Sequence, residues 1–215
     1  MDTDQPPLIE ARGLALARDD EPIFGPLSFR LDAGRALVIE GSNGAGKTTL
    51  IRVLAGLVDA TEGDVLWSGA AASSIARTPG SLALLGHHFG LKGDLTPHEN
   101  LRFRIALEGL RPGITPVAAL KSVGLEGYED VAVRSLSAGQ RKRVALAALL
   151  LTTAPVWLLD EPYANLDRDG QILVDRMLET HCLRGGCVVL TSHGLIHPAL
   201  SRMTTMQLHR PRSAA

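Results

Sequence analysis

The stretch GSNGAGKTT at residues 41–49 constrains this chain more than any other part of its sequence. It follows a short apolar run and precedes a segment in which Leu50, Val53, Leu54 and Leu57 recur at the spacing of one helix face. A glycine-rich loop between a strand and a helix turns backbone N–H groups toward phosphates, with the helix dipole behind them. We therefore predict that this loop binds a nucleoside triphosphate. Its residues are Gly41, Ser42, Asn43, Gly44, Ala45, Gly46, Lys47, Thr48 and Thr49.

Four side chains have the chemistry for particular parts of a nucleotide and its metal. Lys47 supplies a positive charge for the β- and γ-phosphates, and Thr48 supplies a hydroxyl for Mg²⁺. A second stretch, VWLLDE at residues 156–161, ends an apolar strand in two carboxylates. We predict that Asp160 holds Mg²⁺, directly or through water, and that Glu161 polarises the attacking water as general base. Acids at strand ends are often only solvated, but the phosphate loop favours the functional interpretation.

The stretch SLSAGQRKRV, from Ser135, predicts a second anion site. Ser137 can cap a helix that starts near Gly139 and Gln140, and the hydroxyl, the open N–H groups and the dipole attract an anion. Taken alone, the pattern is only a helix cap. The basic run at residues 141–143 is either a solvated first turn or, for Arg141, a contact to a phosphate or a partner.

The order of apolar runs predicts an α/β fold with a mostly parallel sheet. Buried strands are expected at 35–41, 81–86, 156–160 and 187–193, a helix at about 171–183, and a last strand in MTTMQLH. Residues 89–150 contain only helical patterns, including a capping box formed by Thr96 and Glu99 around Pro97. We predict a core lobe of about 1–88 and 151–215 and an inserted helical subdomain of about 89–150.

Composition excludes several classes of protein. A net charge of −1 and an aromatic content of 4% argue against nucleic acid as a partner. The N-terminus lacks the apolar region of a secretory signal, and the apolar stretch at 144–159 is too short to span a bilayer. Cys182 and Cys187 lack zinc-site spacing and are expected to be small thiols in or near the core.

Five motifs in order, GSNGAGKTT, LSAGQ, LLDEP, ANLD and TSH, resemble those of ABC-type ATPases over nearly the whole chain. The resemblance implies a RecA-like core with a small antiparallel β part and a helical subdomain. It also implies a homodimer with two ATP molecules and Mg²⁺, each ATP lying between the phosphate loop of one subunit and the LSAGQ segment of the other. Ser137 and Gly139, with Gln140 in the same segment, would contact the γ-phosphate in trans. Asp167 would act across the dimer, and His193 would be the switch histidine that contacts the γ-phosphate.

The site that would hold adenine departs from the family pattern. Many members stack an aromatic side chain on the base near the second strand, and no aromatic residue stands at the matching place here. Arg18 is the nearest candidate, because a guanidinium can stack on a π-face. A solvent-exposed arginine is the alternative.

Residues 86–101, GHHFGLKGDLTPHENL, are similar to a run in the ATP-binding subunits of the cytochrome c biogenesis system, the haem exporters. The resemblance implies membrane-spanning permease subunits and a peripheral position on the cytoplasmic face of the inner membrane. ATP hydrolysis would then support haem delivery. The alternatives are an ATPase subunit of another small-solute or lipid exporter, and an ABC ATPase with no role in transport.

Two adjacent histidines, His87 and His88, suggest either a metal site or a nucleotide contact. We expect no zinc site, because further ligands at workable spacing are missing and neighbouring residues on a strand point apart. By position, His88 replaces the glutamine with which the family contacts Mg²⁺ and the attacking water. Since a neutral imidazole can accept a hydrogen bond, we predict a catalytic and metal-contacting role for His88. His87 is interpreted as structural.

Overall fold

The computed structural model describes residues 6–71, 80–109, 111–192 and 202–210. The strands are β1 (Ile9–Arg18), β2 (Glu21–Leu31), β3 (Ala36–Glu40), β4 (Glu62–Trp67), β5 (Ala70–Ala71), β6 (Leu82–Leu85), β7 (Val156–Leu159), β8 (Cys187–Ser192) and β9 (Met203–Gln207). The helices are α1 (Lys47–Leu54), α2 (Pro97–Glu108), α3 (Pro116–Ser122), α4 (Ala138–Leu151) and α5 (Arg168–Leu183), with a 3₁₀ turn at Val133–Ser135.

The strands form two sheets of different kinds. Strands β6, β7, β8, β3 and β9 lie in that order, and each neighbouring pair is parallel. Strands β2, β1, β4 and β5 form a smaller antiparallel sheet. The α/β fold with a parallel sheet and a small antiparallel part is therefore confirmed. The carboxyl ends of β3, β6, β7 and β8 meet at one edge of the parallel sheet, where ligands bind in open α/β folds.

The parallel sheet separates two hydrophobic cores because side chains alternate along its buried strands. On β7, Val156 and Leu158 face a core that α1 shares with the antiparallel sheet. Trp157 and Leu159 face the other core, which α4 and α5 cover. Both faces are buried, which explains why the central strands read as unbroken apolar runs.

The segment between β6 and β7 is helical, and its helices begin with clear capping signals. Thr96 caps α2: its hydroxyl accepts from the Glu99 N–H at 3.2 Å, and the Glu99 carboxylate accepts from the Thr96 N–H at 2.8 Å. The predicted capping box is thus confirmed. The proposed division into lobes at residues 89 and 150 stays a prediction. No helix in the described residues is both long and apolar enough to cross a membrane.

Some sequence expectations need correction. Helix α1 ends at Leu54, so Leu57 lies beyond it with 64% of its surface exposed and does not join the apolar face. Helix α5 begins at Arg168, three residues before the predicted start, because Asp167 caps it. Cys187 is buried and Cys182 partly buried, both as free thiols, as predicted.

Candidate functional site

The phosphate-loop segment joins β3 to α1 at the carboxyl edge of the sheet. Gly46 is the N-cap of α1, and its φ of 93° lies in the left-handed region, which favours glycine. A Cβ at Gly46 would lie 3.0 Å from the Ile23 Cγ2 atom, so the antiparallel sheet also restricts this position. No side chain caps α1, which leaves the N–H groups of its first turn available for an anion.

Lys47 is held inside the loop that precedes it. Its ammonium donates to the carbonyl of Gly41 at 2.6 Å and to that of Ser42 at 3.0 Å, and the residue is 5% exposed. Burial lowers the pKa of Lys47, while the charges of Glu161 and Asp160 act in the opposite direction. The lysine therefore lies within electrostatic reach of both carboxylates predicted from VWLLDE.

Thr191 connects those two acidic residues. Its hydroxyl donates to the Asp160 Oδ1 atom at 2.8 Å and accepts from the Glu161 N–H at 2.8 Å. Asp160 itself follows β7, is 3% exposed, and donates its backbone N–H to the Leu85 carbonyl at 2.7 Å. Sequence reasoning missed Thr191, although it lies in the TSH motif and on the strand next to β7. Its place in the motif was the only available signal.

A cleft of about 510 Å³ brings several of the predicted residues together. Residues of the phosphate loop line one part of it, and His88 and Glu161 line another. Asp160 and Thr48 offer carboxylate and hydroxyl oxygens, the donor set that Mg²⁺ prefers, so these residues fit that ion. The cleft can accept a phosphate chain beside the Glu161 carboxylate. Its lining includes Asn43, Gly44, Gly46, Lys47, Thr48 and Thr49.

The two histidines differ from the sequence expectation in one respect. They follow β6 in a loop rather than lying on a strand, and their rings contact each other edge to face with centroids 5.5 Å apart. Both are exposed and line the cleft, and the interpretation of His87 as structural stays a prediction. Among the described residues, no group of three or more histidine, cysteine or acidic side chains could hold a metal ion.

Ser137 caps α4, as predicted, through a full capping box with Gln140. The Ser137 hydroxyl accepts from the Gln140 N–H at 3.2 Å, and the Gln140 side-chain oxygen accepts from the Ser137 N–H at 2.9 Å. The helix begins at Ala138, slightly earlier than predicted. A Cβ at Gly139 would lie 3.1 Å from the Asn165 carbonyl oxygen, so LSAGQ packs closely against the ANLD motif.

The basic run after LSAGQ is not a solvated turn. Arg141 donates to the Leu136 carbonyl at 2.7 Å, and Arg143 donates to the Val123 carbonyl and to Asp167, both at 2.8 Å. Lys142 is 3% exposed and donates to the Glu161 carbonyl at 2.7 Å. The alternative of a solvated turn is therefore wrong, and all three cations bond within the chain.

Asp167 is the N-cap of α5 as well as the partner of Arg143. Its carboxylate accepts from the Gly170 N–H at 2.9 Å. This hydrogen bond, together with the nearby Arg143 guanidinium, lowers the pKa of Asp167. Asp167 is therefore a carboxylate anion that caps the N-terminus of α5.

A second cavity, of about 450 Å³, adjoins the phosphate loop on the side of the antiparallel sheet. It shares Ile23 and Gly44 with the cleft, and Arg18 lines it. Arg210, which sequence reasoning missed, also lines it and lies 3.6 Å from the Glu21 carboxylate. The position of Arg18 suits contact with a base. His193, the remaining predicted residue, lies outside the described residues.

The sequence matches known proteins over most of its length. The profile described as ABC transporter matches residues 24–164. The cytochrome c biogenesis ATP-binding export protein CcmA of Xanthomonas campestris pv. campestris is 53% identical over 204 residues, which cover 94% of this chain and 95% of that protein.

Solved structures share the fold. An ATP-binding subunit of an ABC transporter superposes with a TM-score of 0.83 at 24% identity, covering 94% of this chain and 86% of that one. A dimeric ATP-binding cassette in a post-hydrolysis state, bound to ADP and Pi, superposes with a TM-score of 0.73 at 22% identity, covering 86% and 88%. At such identities the likeness shows the fold alone.

Proposed function

The chain belongs to the ABC transporter family as an ATP-binding subunit that hydrolyses ATP, and we propose that this hydrolysis powers haem delivery for cytochrome c maturation. The observation that supports the catalytic part best is the cleft between the phosphate loop and Glu161. A buried lysine, a Thr191-supported acidic pair and an uncapped helix N-terminus converge there.

The proposed chemistry assigns one task to each group. The N–H groups at the start of α1 and the Lys47 ammonium bind the β- and γ-phosphates and stabilise the charge that develops on them. Thr48 and Asp160 would hold Mg²⁺, which would supply positive charge to neutralise the phosphates. Glu161 accepts a proton from the water that attacks the γ-phosphorus. His88 contacts the same water or the ion, His193 contacts the γ-phosphate, and Arg18 contacts adenine.

We propose that the site is completed by a second copy of the chain. None of the LSAGQ residues lines the cleft that holds Lys47, Thr48 and Glu161 within the described chain. Ser137, Gly139 and Gln140 lie at a helix N-terminus, which attracts anions. They would bind the γ-phosphate of the partner's ATP, and Asp167 would act across the interface. A solved ATP-binding cassette with the same fold is a dimer bound to ADP and Pi, which supports the pairing of two copies.

The transport role rests on the relatives. The protein from Xanthomonas campestris is named a cytochrome c biogenesis ATP-binding export protein. The run GHHFGLKGDLTPHENL supports the same assignment. The partners would be membrane-spanning permease subunits, and the chain would lie peripherally on the cytoplasmic face of the inner membrane. An ATPase subunit of another exporter is the alternative.

The catalytic assignment can be tested with Glu161→Gln and a matched surface control, Glu179→Gln on the exposed side of α5. We expect Glu161→Gln to lower ATP turnover by roughly 10²-fold or more, because a positioned base contributes that much. Nucleotide affinity should stay close to that of the wild type. Equal turnover in Glu161→Gln and wild type would remove Glu161 from the mechanism.

The haem role needs a separate readout in the source organism. We would replace the chromosomal gene with the Glu161→Gln or the Glu179→Gln variant and stain cell extracts for covalently bound haem. We expect c-type cytochromes to disappear only in the Glu161→Gln strain. The amount of the variant protein in the cells should equal that of the wild-type protein. Normal c-type cytochromes in a strain whose purified variant lacks turnover would reject haem delivery and favour another exporter.

A further inference from the structure

Lys142 is a buried cation in contact with the site, and the proposed mechanism does not use it. It is the fifth residue of α4, five residues after Ser137, and is 3% exposed. Its ammonium donates to the Glu161 carbonyl oxygen at 2.7 Å and lies 5.3 Å from the centroid of the Phe89 ring. Burial lowers the pKa of Lys142 to about 8, while the charges of Glu161 and Asp160 act in the opposite direction. A buried ammonium is costly, so its position next to the site requires an explanation.

The backbone of Glu161 has an unusual conformation, and its contacts suggest that explanation. Its φ of 50° lies in the left-handed region, which a residue with a Cβ seldom adopts. Hydrogen bonds hold both sides of the residue: Thr191 accepts its N–H at 2.8 Å, and its carbonyl accepts from Lys142 and, at 3.2 Å, from the Ala164 N–H. A change in this backbone angle would swing the Glu161 carboxylate away from its present direction.

We propose that Lys142 is a positioning residue for Glu161, whose carbonyl it holds so that the carboxylate points into the cleft. This inference rests on the proposed role of Glu161 as general base. The same bond links two motifs mechanically, because Lys142 is carried by the helix that LSAGQ begins. A displacement of α4 therefore moves the donor that fixes the base, and the geometry of Glu161 depends on where LSAGQ lies.

The hydrogen bond between Lys142 and Glu161 differs from an ion pair because its acceptor is a backbone carbonyl and not a carboxylate. Lys142 donates to the backbone carbonyl of Glu161, which is present whatever side chain the residue carries. Replacement of Glu161 by glutamine therefore removes the base but leaves the acceptor for Lys142. The two effects can be separated by combining substitutions.

The first experiment compares Lys142→Met, Lys142→Leu and Lys142→Arg with Lys121→Met, a surface lysine paired with exposed Glu126. We would measure kcat, KM for ATP, nucleotide affinity and the melting temperature of each full-length chain. We expect Lys142→Met and Lys142→Leu, which lack a donor, to lower kcat by roughly 10- to 100-fold with KM changed less than about threefold, since misplacement of a reacting group by about 1 Å costs that much. Lys142→Arg should retain most of kcat because it keeps a cationic donor.

Several results would overturn the proposal. If Lys142→Met fails to fold, the comparison of Lys142→Leu with Lys142→Arg decides, and equal kcat in those two variants rejects a role for the donor. A rise in KM with unchanged kcat would mean that Lys142 serves nucleotide binding instead. Lys121→Met should match the wild type in every measurement.

The second experiment repeats Lys142→Met in a Glu161→Gln background, using single-turnover hydrolysis of radiolabelled ATP to detect the low residual rate. If Lys142 acts through the base, the second substitution changes the residual rate by less than about twofold. An equal loss in both backgrounds would show that Lys142 acts elsewhere. Failure of the proposed function is distinguishable, because Glu161→Gln alone would then have wild-type turnover.

Discussion

At the scale of single residues, Thr191 explains how a parallel sheet holds two adjacent acidic residues at its carboxyl edge. It is fully buried on β8, and its hydroxyl serves as donor to Asp160 and as acceptor for the Glu161 N–H. A hydroxyl can do both at once, whereas a carboxylate or an ammonium cannot. The strand that carries Thr191 therefore fixes the directions of the Asp160 carboxylate and of the backbone that follows it.

Thr191→Val tests this arrangement with little change in side-chain shape. The substitution leaves Asp160 Oδ1 and the Glu161 N–H without that partner in a buried place, so we expect the free energy of unfolding to fall by about 1–3 kcal/mol. ATP turnover should fall as well, because both acids lose their orientation. Urea denaturation and a turnover assay would measure the two effects, and Thr191→Ser should restore most of both. Wild-type stability and turnover in Thr191→Val would contradict the assigned role.

At the scale of elements, the strands with regular burial were predictable and the strands with bulges were not. The central strands are apolar runs, and the sequence predicts β3, β7 and β8 to within a residue or two. Strand β1 changes phase between Ala11 and Leu14, where its register against β2 shifts, so its apolar residues follow no single alternation. The sequence pattern therefore indicates no strand at β1.

In the candidate site, features formed by consecutive residues were predictable from the sequence, whereas contacts between distant residues were not. The phosphate loop and the caps at Thr96 and Ser137 are local patterns, and each can be recognised from consecutive residues. The contact of Lys142 with Glu161 joins positions 19 residues apart, and that of Thr191 with Asp160 joins positions 31 apart. Such contacts depend on which strands and helices become neighbours, and neither composition nor periodicity specifies that. Lys142 therefore resembled a surface cation in the sequence.

The capping boxes at Thr96 and Ser137 allow a comparison of two helix caps, of which only the one at Ser137 is proposed to bind phosphate as well. Thr96→Ala and Ser137→Ala each remove a side chain that caps a helix, so each should lower the free energy of unfolding by about 1 kcal/mol. Only Ser137→Ala should also lower ATP turnover, because the proposed γ-phosphate contact is lost. Denaturation curves and turnover assays on both variants test this. Equal turnover in the two variants would leave Ser137 with a structural role alone.

At the scale of the whole molecule, a buried histidine of α5 that packs against the parallel sheet links the stability of the protein to pH. His181 is 3% exposed, stacks on Trp157 with ring centroids 4.0 Å apart, and donates to the Pro155 carbonyl at 3.1 Å. Burial lowers the pKa of His181 to about 4, and the positive charges of Arg111 and Arg184 act in the same direction. The folded protein therefore keeps this imidazole neutral under conditions in which the unfolded chain protonates it.

The expected consequence is a loss of stability in mild acid. Since the unfolded chain binds a proton near pH 6.5 and the folded chain only near pH 4, the free energy of unfolding should fall between those values, by up to about 3 kcal/mol, and then stop responding to this group. His181→Gln should flatten that part of the pH profile. Urea denaturation at several pH values between 7 and 4 would measure it. An unchanged slope in His181→Gln would contradict the assignment.

If a second copy completes the site, as proposed, two inactive variants should restore activity when mixed. In a dimer each ATP would meet Lys47 of one copy and Ser137 of the other, so Lys47→Ala and Ser137→Arg damage opposite halves of every site. A mixed dimer would contain one intact site, built from the unmodified halves, and one site with both defects. We therefore expect each variant alone to have little ATP turnover and an equimolar mixture to recover a fraction of it, up to about a quarter of the wild-type rate if chains pair at random and sites act independently. A mixture no more active than its components, with ATP-dependent dimers of Glu161→Gln also missing in light scattering, would mean that the LSAGQ segment does not complete the partner's site.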